Sequence, residues 1–133
     1  MKVLRLCWLG IPTREYDPMV AFLRDVMGLA VEFEEPTTTE LSLPSGDRVQ
    51  VFAPGDRYFE LFERGSNGPV ALFEVDDVHD ARDTLAAAGI EVVGELERDA
   101  HWEWLHFRAP DGNLYELAAR RDETSDGSSA RRT

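Results

Sequence analysis

Cysteine, lysine and long apolar runs are nearly missing from this sequence, and each absence excludes something. Cys7 is the only cysteine. No intrachain disulfide can form, and a reducing cytoplasm is the expected setting, because disulfide frameworks belong to oxidising compartments. In its run of Val3, Leu4, Arg5, Leu6, Cys7, Trp8 and Leu9, Cys7 reads as a small core residue. Lysine occurs only at Lys2, the arginines are scattered, and the formal net charge is −12. Phosphate backbones need a clustered basic footprint, so nucleic acid is excluded as a partner. The same charge disfavours anionic ligands and attracts cationic ones, besides keeping the protein soluble. No apolar run approaches the roughly 18 residues of a membrane span, and the N-terminus lacks a signal-peptide core with a cleavage site, so no membrane partner is expected. Also absent are Ser/His/Asp and Cys/His nucleophile arrangements, phosphate loops and zinc-ligand spacings.

What is present is a repeat. Residues 3 to 11 are apolar apart from Arg5, the pattern of a strand covered on both faces. Asp17 offers an N-cap with Pro18 at the first helical position, and a helix is predicted to about Met27, with Met19, Leu23 and Val26 on one face and Gly28 as its C-cap. Extended runs follow: Val31 and Phe33 alternate with glutamates, Leu41 and Leu43 alternate with Glu40 and Ser42, and Arg48 to Phe52 follows the turn Pro44-Ser45-Gly46-Asp47. The order restarts at Val70. A strand to Val75 leads into a helix capped by Asp76 or Asp77, with Val78, Ala81, Leu85 and Ala88 on one stripe and Gly89 at its end. Ile90 to Leu96, Trp102 to Arg108 and Leu114 to Ala119 are the closing strands. Aligning the final hairpins makes Gln50 and Glu116 sister positions.

This is an α+β pattern of two βαβββ modules, about 3–53 and 70–119, within one domain spanning 1–120. Each half has an apolar sheet face that it cannot cover alone, so two halves side by side predict one curved sheet around a small-molecule cavity, with helices on the convex face. The linker 54–69 carries Tyr58, Phe59, Leu61 and Phe62, which form either a lid or an apolar plug under a loop. The polar, serine-rich segment 121–133 is expected to be a disordered tail.

Three phrases carry a resemblance. Phe22-Leu23-Arg24-Asp25-Val26-Met27-Gly28-Leu29, Val75-Asp76-Asp77-Val78 before a helix ending in Ala88-Gly89-Ile90, and Phe107 to Leu117 stand in the order in which the glyoxalase/bleomycin-resistance/dioxygenase (vicinal oxygen chelate) superfamily has their counterparts. The likeness spans roughly residues 3 to 119. It implies the two-module fold but leaves the chemistry open, since that fold hosts isomerases, ring-cleaving dioxygenases, epimerases, thiol transferases and drug-sequestering proteins. In the metalloenzymes of the superfamily a divalent ion sits at positions that fall on Trp8, Gln50, Val70 and Glu116 here. Trp and Val offer no lone pair suited to a metal, so the expectation is no metal and no other cofactor, a divalent ion at Glu116 being the alternative. The resemblance further implies a homodimer, sometimes formed by exchanging halves.

Strand alternation then selects the site residues. With Glu116 facing the cavity, Leu114 and Ala118 join it, and the same parity brings in Arg48, Gln50 and Phe52. If Leu105 and Phe107 face the helices, Trp102, Trp104, His106 and Arg108 face the cavity, and with Trp8 the tryptophans form an aromatic wall suited to a planar or cationic ligand. The binding set is therefore Trp8, Arg48, Gln50, Phe52, Trp102, Trp104 and Leu114. Glu116 and His106 are the candidates for proton transfer. The leading expectation is metal-free sequestration of a small organic ligand, resembling bleomycin resistance. The competing one is a lyase, isomerase or dioxygenase-type enzyme using Glu116 and His106 or an atypical metal site. A solvated Glu116 beside His106 would favour chemistry, and a Glu116 salt-bridged to an arginine would favour a scaffold.

Overall fold

A computed structural model describes residues 1–65 and 68–121. The expected tail, 121–133, lies outside the described residues apart from Arg121. The fold is α+β, and the chain divides into two compact units, Cys7–Ala71 and Met1–Leu6 with Leu72–Thr133.

In the first unit the sheet order is β2-β3-β4-β1, built from β1 (Val3–Pro12), β2 (Ala30–Glu35), β3 (Thr38–Ser42) and β4 (Arg48–Phe52). β1 runs parallel to β4 with Trp8 beside Arg48 and Gly10 beside Gln50. β3 is antiparallel to β4, setting Glu40 against Gln50 and Thr38 against Phe52. Helix α1 (Tyr16–Ala21) continues into a π-helical turn, Phe22–Val26. Its Val20 and Leu23 bury against Leu41 and Val51 of the sheet.

The entry to α1 differs from the expectation. Glu15, not Asp17, is the N-cap residue; Asp17 lies in the first turn, where its carboxylate meets the positive helix end. Pro18 is tolerated there because first-turn N–H groups have no helical acceptor. Val26 also leaves the predicted apolar face and is 74% exposed. The cause is the wider i→i+5 turn, seen in the 3.0 Å bond from Met27 N–H to the Phe22 carbonyl, which rotates the residues after Leu23 away from the sheet.

In the second unit, β5 (Val70–Val75) pairs in parallel with β8 (Leu114–Arg120), and β7 (Trp102–Arg108) lies antiparallel between β8 and β6 (Glu91–Arg98). The first residues of β1 run beside β5, with Asp76 N–H donating to the Lys2 carbonyl. Asp77 is the helix cap, its carboxylate accepting from the His79 and Asp80 amides at the start of α3 (Val78–Ala87). Leu105, Leu117 and Ala119 pack with Val78, Ala81 and Leu85 of that helix. In the closing hairpin, Asp111 accepts from the Asn113 amide and the Tyr115 hydroxyl, which together hold its carboxyl below the usual range.

Two expectations fail. β1 is not covered on both faces at its start: Val3, Leu4 and Leu6 are 53%, 48% and 56% exposed. The linker is not an irregular loop. Residues Arg57–Gly65 form helix α2, with the Tyr58 amide bonded to Asp56, whose other carboxylate oxygen accepts from Thr37. An aspartate cap before Tyr58 and Phe62 at i, i+4 spacing was the overlooked helix signal.

Candidate functional site

Each unit carries polar groups on the sheet face that its helical core leaves uncovered. In the Cys7–Ala71 unit, Val49, Val51 and Leu41 turn toward α1, so alternation puts Arg48, Gln50 and Phe52 on the other face, with Trp8 level with Arg48. Arg48 Nη1 donates to Glu40 Oε1 at 2.7 Å, and its Nη2 lies 3.9 Å from Glu32. Gln50 is 1% exposed. Its Nε2 donates to the Thr38 hydroxyl at 2.9 Å, and that hydroxyl donates to the Val51 carbonyl at 2.9 Å.

Beside this polar row stands an aromatic cluster. Phe62 of α2 meets Trp8 edge-on at 6.2 Å and Phe52 at 5.3 Å, and stacks on Tyr58 at 5.7 Å. Trp8 and Phe52 are buried by this packing. Of the lid and the plug, the second describes the side chains of α2 as observed. Gly10 makes the packing possible, because a Cβ there would stand 2.5 Å from the Trp8 ring and 3.2 Å from Phe62.

In the second unit, β7 and β8 bring His106 directly opposite Glu116, with Trp104 opposite Ala118 and Arg108 opposite Leu114. His106 Nε2 lies 3.4 Å from Glu116 Oε2, and His106 Nδ1 lies 3.8 Å from Glu97 Oε2. Both His106 and Glu116 are buried. Glu97 owes its place to a bulge: the pairing shifts between Val93 and Glu97, setting Glu97 opposite Trp104. Without that shift the simple count from Val93–His106 would put Glu95 there. Trp102 lies at the end of the row, under the Arg120 guanidinium at 4.5 Å, and Arg120 and Arg5 both approach Glu74.

Glu116 therefore lies beside the histidine as the chemical reading requires, but buried instead of solvated. Arg48 bonds Glu40, and Arg108 bonds the Gly112 carbonyl and approaches Glu91. Sequence reasoning missed Thr38, Glu40 and Glu97 as site residues. The first two were within reach, since with Leu41 facing the helix the parity of β3 turns Glu40 and Thr38 to the site face. Glu97 was not, because the bulge is not readable from alternation.

The strand registers make the two halves equivalent: Gly10 pairs with Gln50 as Leu72 pairs with Glu116. Trp8 and Val70, two residues earlier, are then sister positions, as are Gln50 and Glu116. A repeated module with this register defines the class. The chain belongs to the glyoxalase/bleomycin resistance protein/dioxygenase superfamily, whose sequence profile matches residues 5–117.

Similar solved structures include a member of that superfamily from Vibrio splendidus 12B01, at 21% identity and TM-score 0.65, covering 89% of this chain and 99% of that one. Methylmalonyl-CoA epimerase from Mycobacterium tuberculosis is similar at 22% identity and TM-score 0.70, with 91% of each chain covered. The Mn(II)-bound glyoxalase from Novosphingobium aromaticivorans is similar at 19% identity and TM-score 0.69, covering 99% of this chain and 43% of that one. At such identities the likeness is one of fold. No curated protein matches the chain.

The metal of some superfamily members can be tested against these residues. Trp8 offers an indole packed among phenylalanines, Val70 an alkyl group, Gln50 an amide and Glu116 a carboxylate. That donor set does not fit a divalent cation, which needs several oxygen or imidazole ligands. Among the described residues no group of three or more His, Cys, Asp or Glu side chains is placed to hold a metal ion, and no helix is long and apolar enough to cross a membrane.

Proposed function

We propose that this protein binds a small organic molecule without a divalent metal, in the manner of the sequestering members of its superfamily. The observation that carries this reading is the chemistry of the four corresponding positions, where only Gln50 and Glu116 retain an oxygen. Buried polar side chains on a sheet face beside a wall of aromatic rings are a common form of small-molecule site, and the net charge of −12 favours a cationic over an anionic occupant. A cytoplasmic homodimer belongs to the same reading, supported by the single buried thiol of Cys7 and the exposed Val3, Leu4 and Leu6.

Purified without chelator, the protein is expected to contain no stoichiometric metal, and titration with Mn, Fe, Ni or Zn ions is expected to leave its tryptophan fluorescence unchanged. Stoichiometric metal that disappears in Glu116→Ala overturns the reading and redirects the search to chelating oxygen substrates.

One observation favours a second reading. The imidazole of His106 lies between Glu116 and Glu97, an arrangement able to take up and return a proton. An isomerase or lyase of the same superfamily would use it, and methylmalonyl-CoA epimerase is among the similar structures. Solvent-deuterium exchange into carbon acids, abolished by His106→Gln, would install this reading over the first.

A further inference from the structure

Gln50 is held by a hydrogen-bond relay that leaves it no choice of orientation. The Thr38 hydroxyl has one proton, and it is used on the Val51 carbonyl at 2.9 Å. Toward Gln50 the same oxygen can therefore only accept, so the amide must present Nε2 to Thr38, at 2.9 Å. Gln50 Oε1 is thereby turned away from Thr38. This oxygen is buried and has no hydrogen-bond partner in the protein. A buried acceptor in that condition is a standing demand for a donor. Nearby, across the strand pair, the Arg48 guanidinium meets two carboxylates, Glu40 at 2.7 Å and Glu32 at 3.9 Å, two formal negative charges to one positive.

We infer that the ligand is an N–H-bearing cation, an amidinium, guanidinium or primary ammonium, whose donor is received by Gln50 Oε1, and that Thr38 is the positioning residue that sets this preference. The inference rests on the metal-free binding reading and narrows it to a ligand class. Gln50 supplies the contact, and Thr38 acts through Gln50 alone.

Three probes of similar size separate the possibilities: benzamidine, a cation with N–H donors; phenyltrimethylammonium, a cation with none; and benzoate, an acceptor. Binding is followed through the side-chain amide resonances of Gln50 in the full-length protein. Benzamidine is expected to shift them and to bind about tenfold or more tightly than the other two, the ratio that one charge-assisted hydrogen bond supplies. Thr38→Val frees the amide to rotate, so the preference for benzamidine over benzoate should fall by about tenfold, and Thr38→Ser should restore it. A merely structural role for Thr38 would weaken all three probes alike.

Binding of phenyltrimethylammonium or benzoate as tight as that of benzamidine overturns the donor inference and leaves the metal-free reading standing. So does an unchanged preference in a folded Thr38→Val protein. If Thr38→Val does not fold, Gln50→Leu serves instead, and retention of the benzamidine preference in that variant overturns the inference. No binding of any probe, together with Glu116 resonances that respond to Mn(II), overturns the metal-free reading and the inference with it.

Discussion

Phe62→Ala is expected to destabilise the protein by about 3–5 kcal/mol, the range for removing a large aromatic ring from a core. Phe62 is fully buried and meets Trp8, Phe52 and Tyr58, two of them edge-on and one stacked. Such ring pairs add about 0.5–1.5 kcal/mol beyond the area that they bury. The effect should exceed the loss of one side chain's contacts. A helix of nine residues such as α2 is not stable by itself in water, so it exists through its anchors, and Phe62 is the central one. Urea unfolding followed by tryptophan fluorescence measures the loss, and the emission should move to the red as Trp8 becomes wetter. Phe62→Leu, which keeps most of the apolar volume, should cost less. A loss below about 1 kcal/mol, the scale of an ordinary surface change, would show that α2 is not part of the core.

That helix also shows where reading the sequence stops short. The two modules, their strand parity and the capping glycines follow from local rules, because period-2 alternation and a cap before an amphipathic run are properties of neighbouring residues. Gln50 and Glu116 could be matched as sister positions from the hairpins alone, and the registers at Gly10 and Leu72 agree with that match. Three features were not legible in the same way. The π turn that exposes Val26 rests on an i→i+5 backbone bond that no residue type signals. The bulge that moves Glu97 next to His106 inserts residues into a ladder without disturbing its apolar pattern. The aromatic residues of 54–69 are expected in a linker loop, although the Asp56 cap and the Tyr58–Phe62 spacing argue for a helix. At the site, alternation selects which side chains share a face, but only the fold shows that Trp8 and Phe52 are packed against α2.

Arg48→Met is the substitution expected to expose how the polar row is held together. Glu40 is fully buried, and its Oε1 accepts from the Arg48 guanidinium at 2.7 Å, whereas Arg48 is itself partly solvated. The two partners are therefore not equivalent. Taking away Glu40 releases a guanidinium that water and Glu32 can still serve; taking away Arg48 removes the 2.7 Å guanidinium bond of a carboxylate that water does not reach. Breaking a buried pair from the cationic side costs about 3–5 kcal/mol, most of it the desolvation of the anion left behind. Glu40→Gln alone should cost less, because a neutral amide is cheaper to bury than a carboxylate. In the double variant the deficit of Arg48→Met should largely disappear, a coupling of about 2–3 kcal/mol in the range seen for residues in direct contact. The four proteins of this cycle, compared by urea unfolding at neutral pH, give the coupling directly. Additive losses would mean that Glu40 is solvated when Arg48 is gone, and the row would then be a wet surface feature instead of the floor of the proposed binding site. Strong coupling would mean that a charged group is kept dry beside Gln50, the electrostatic condition under which a single ligand donor becomes selective.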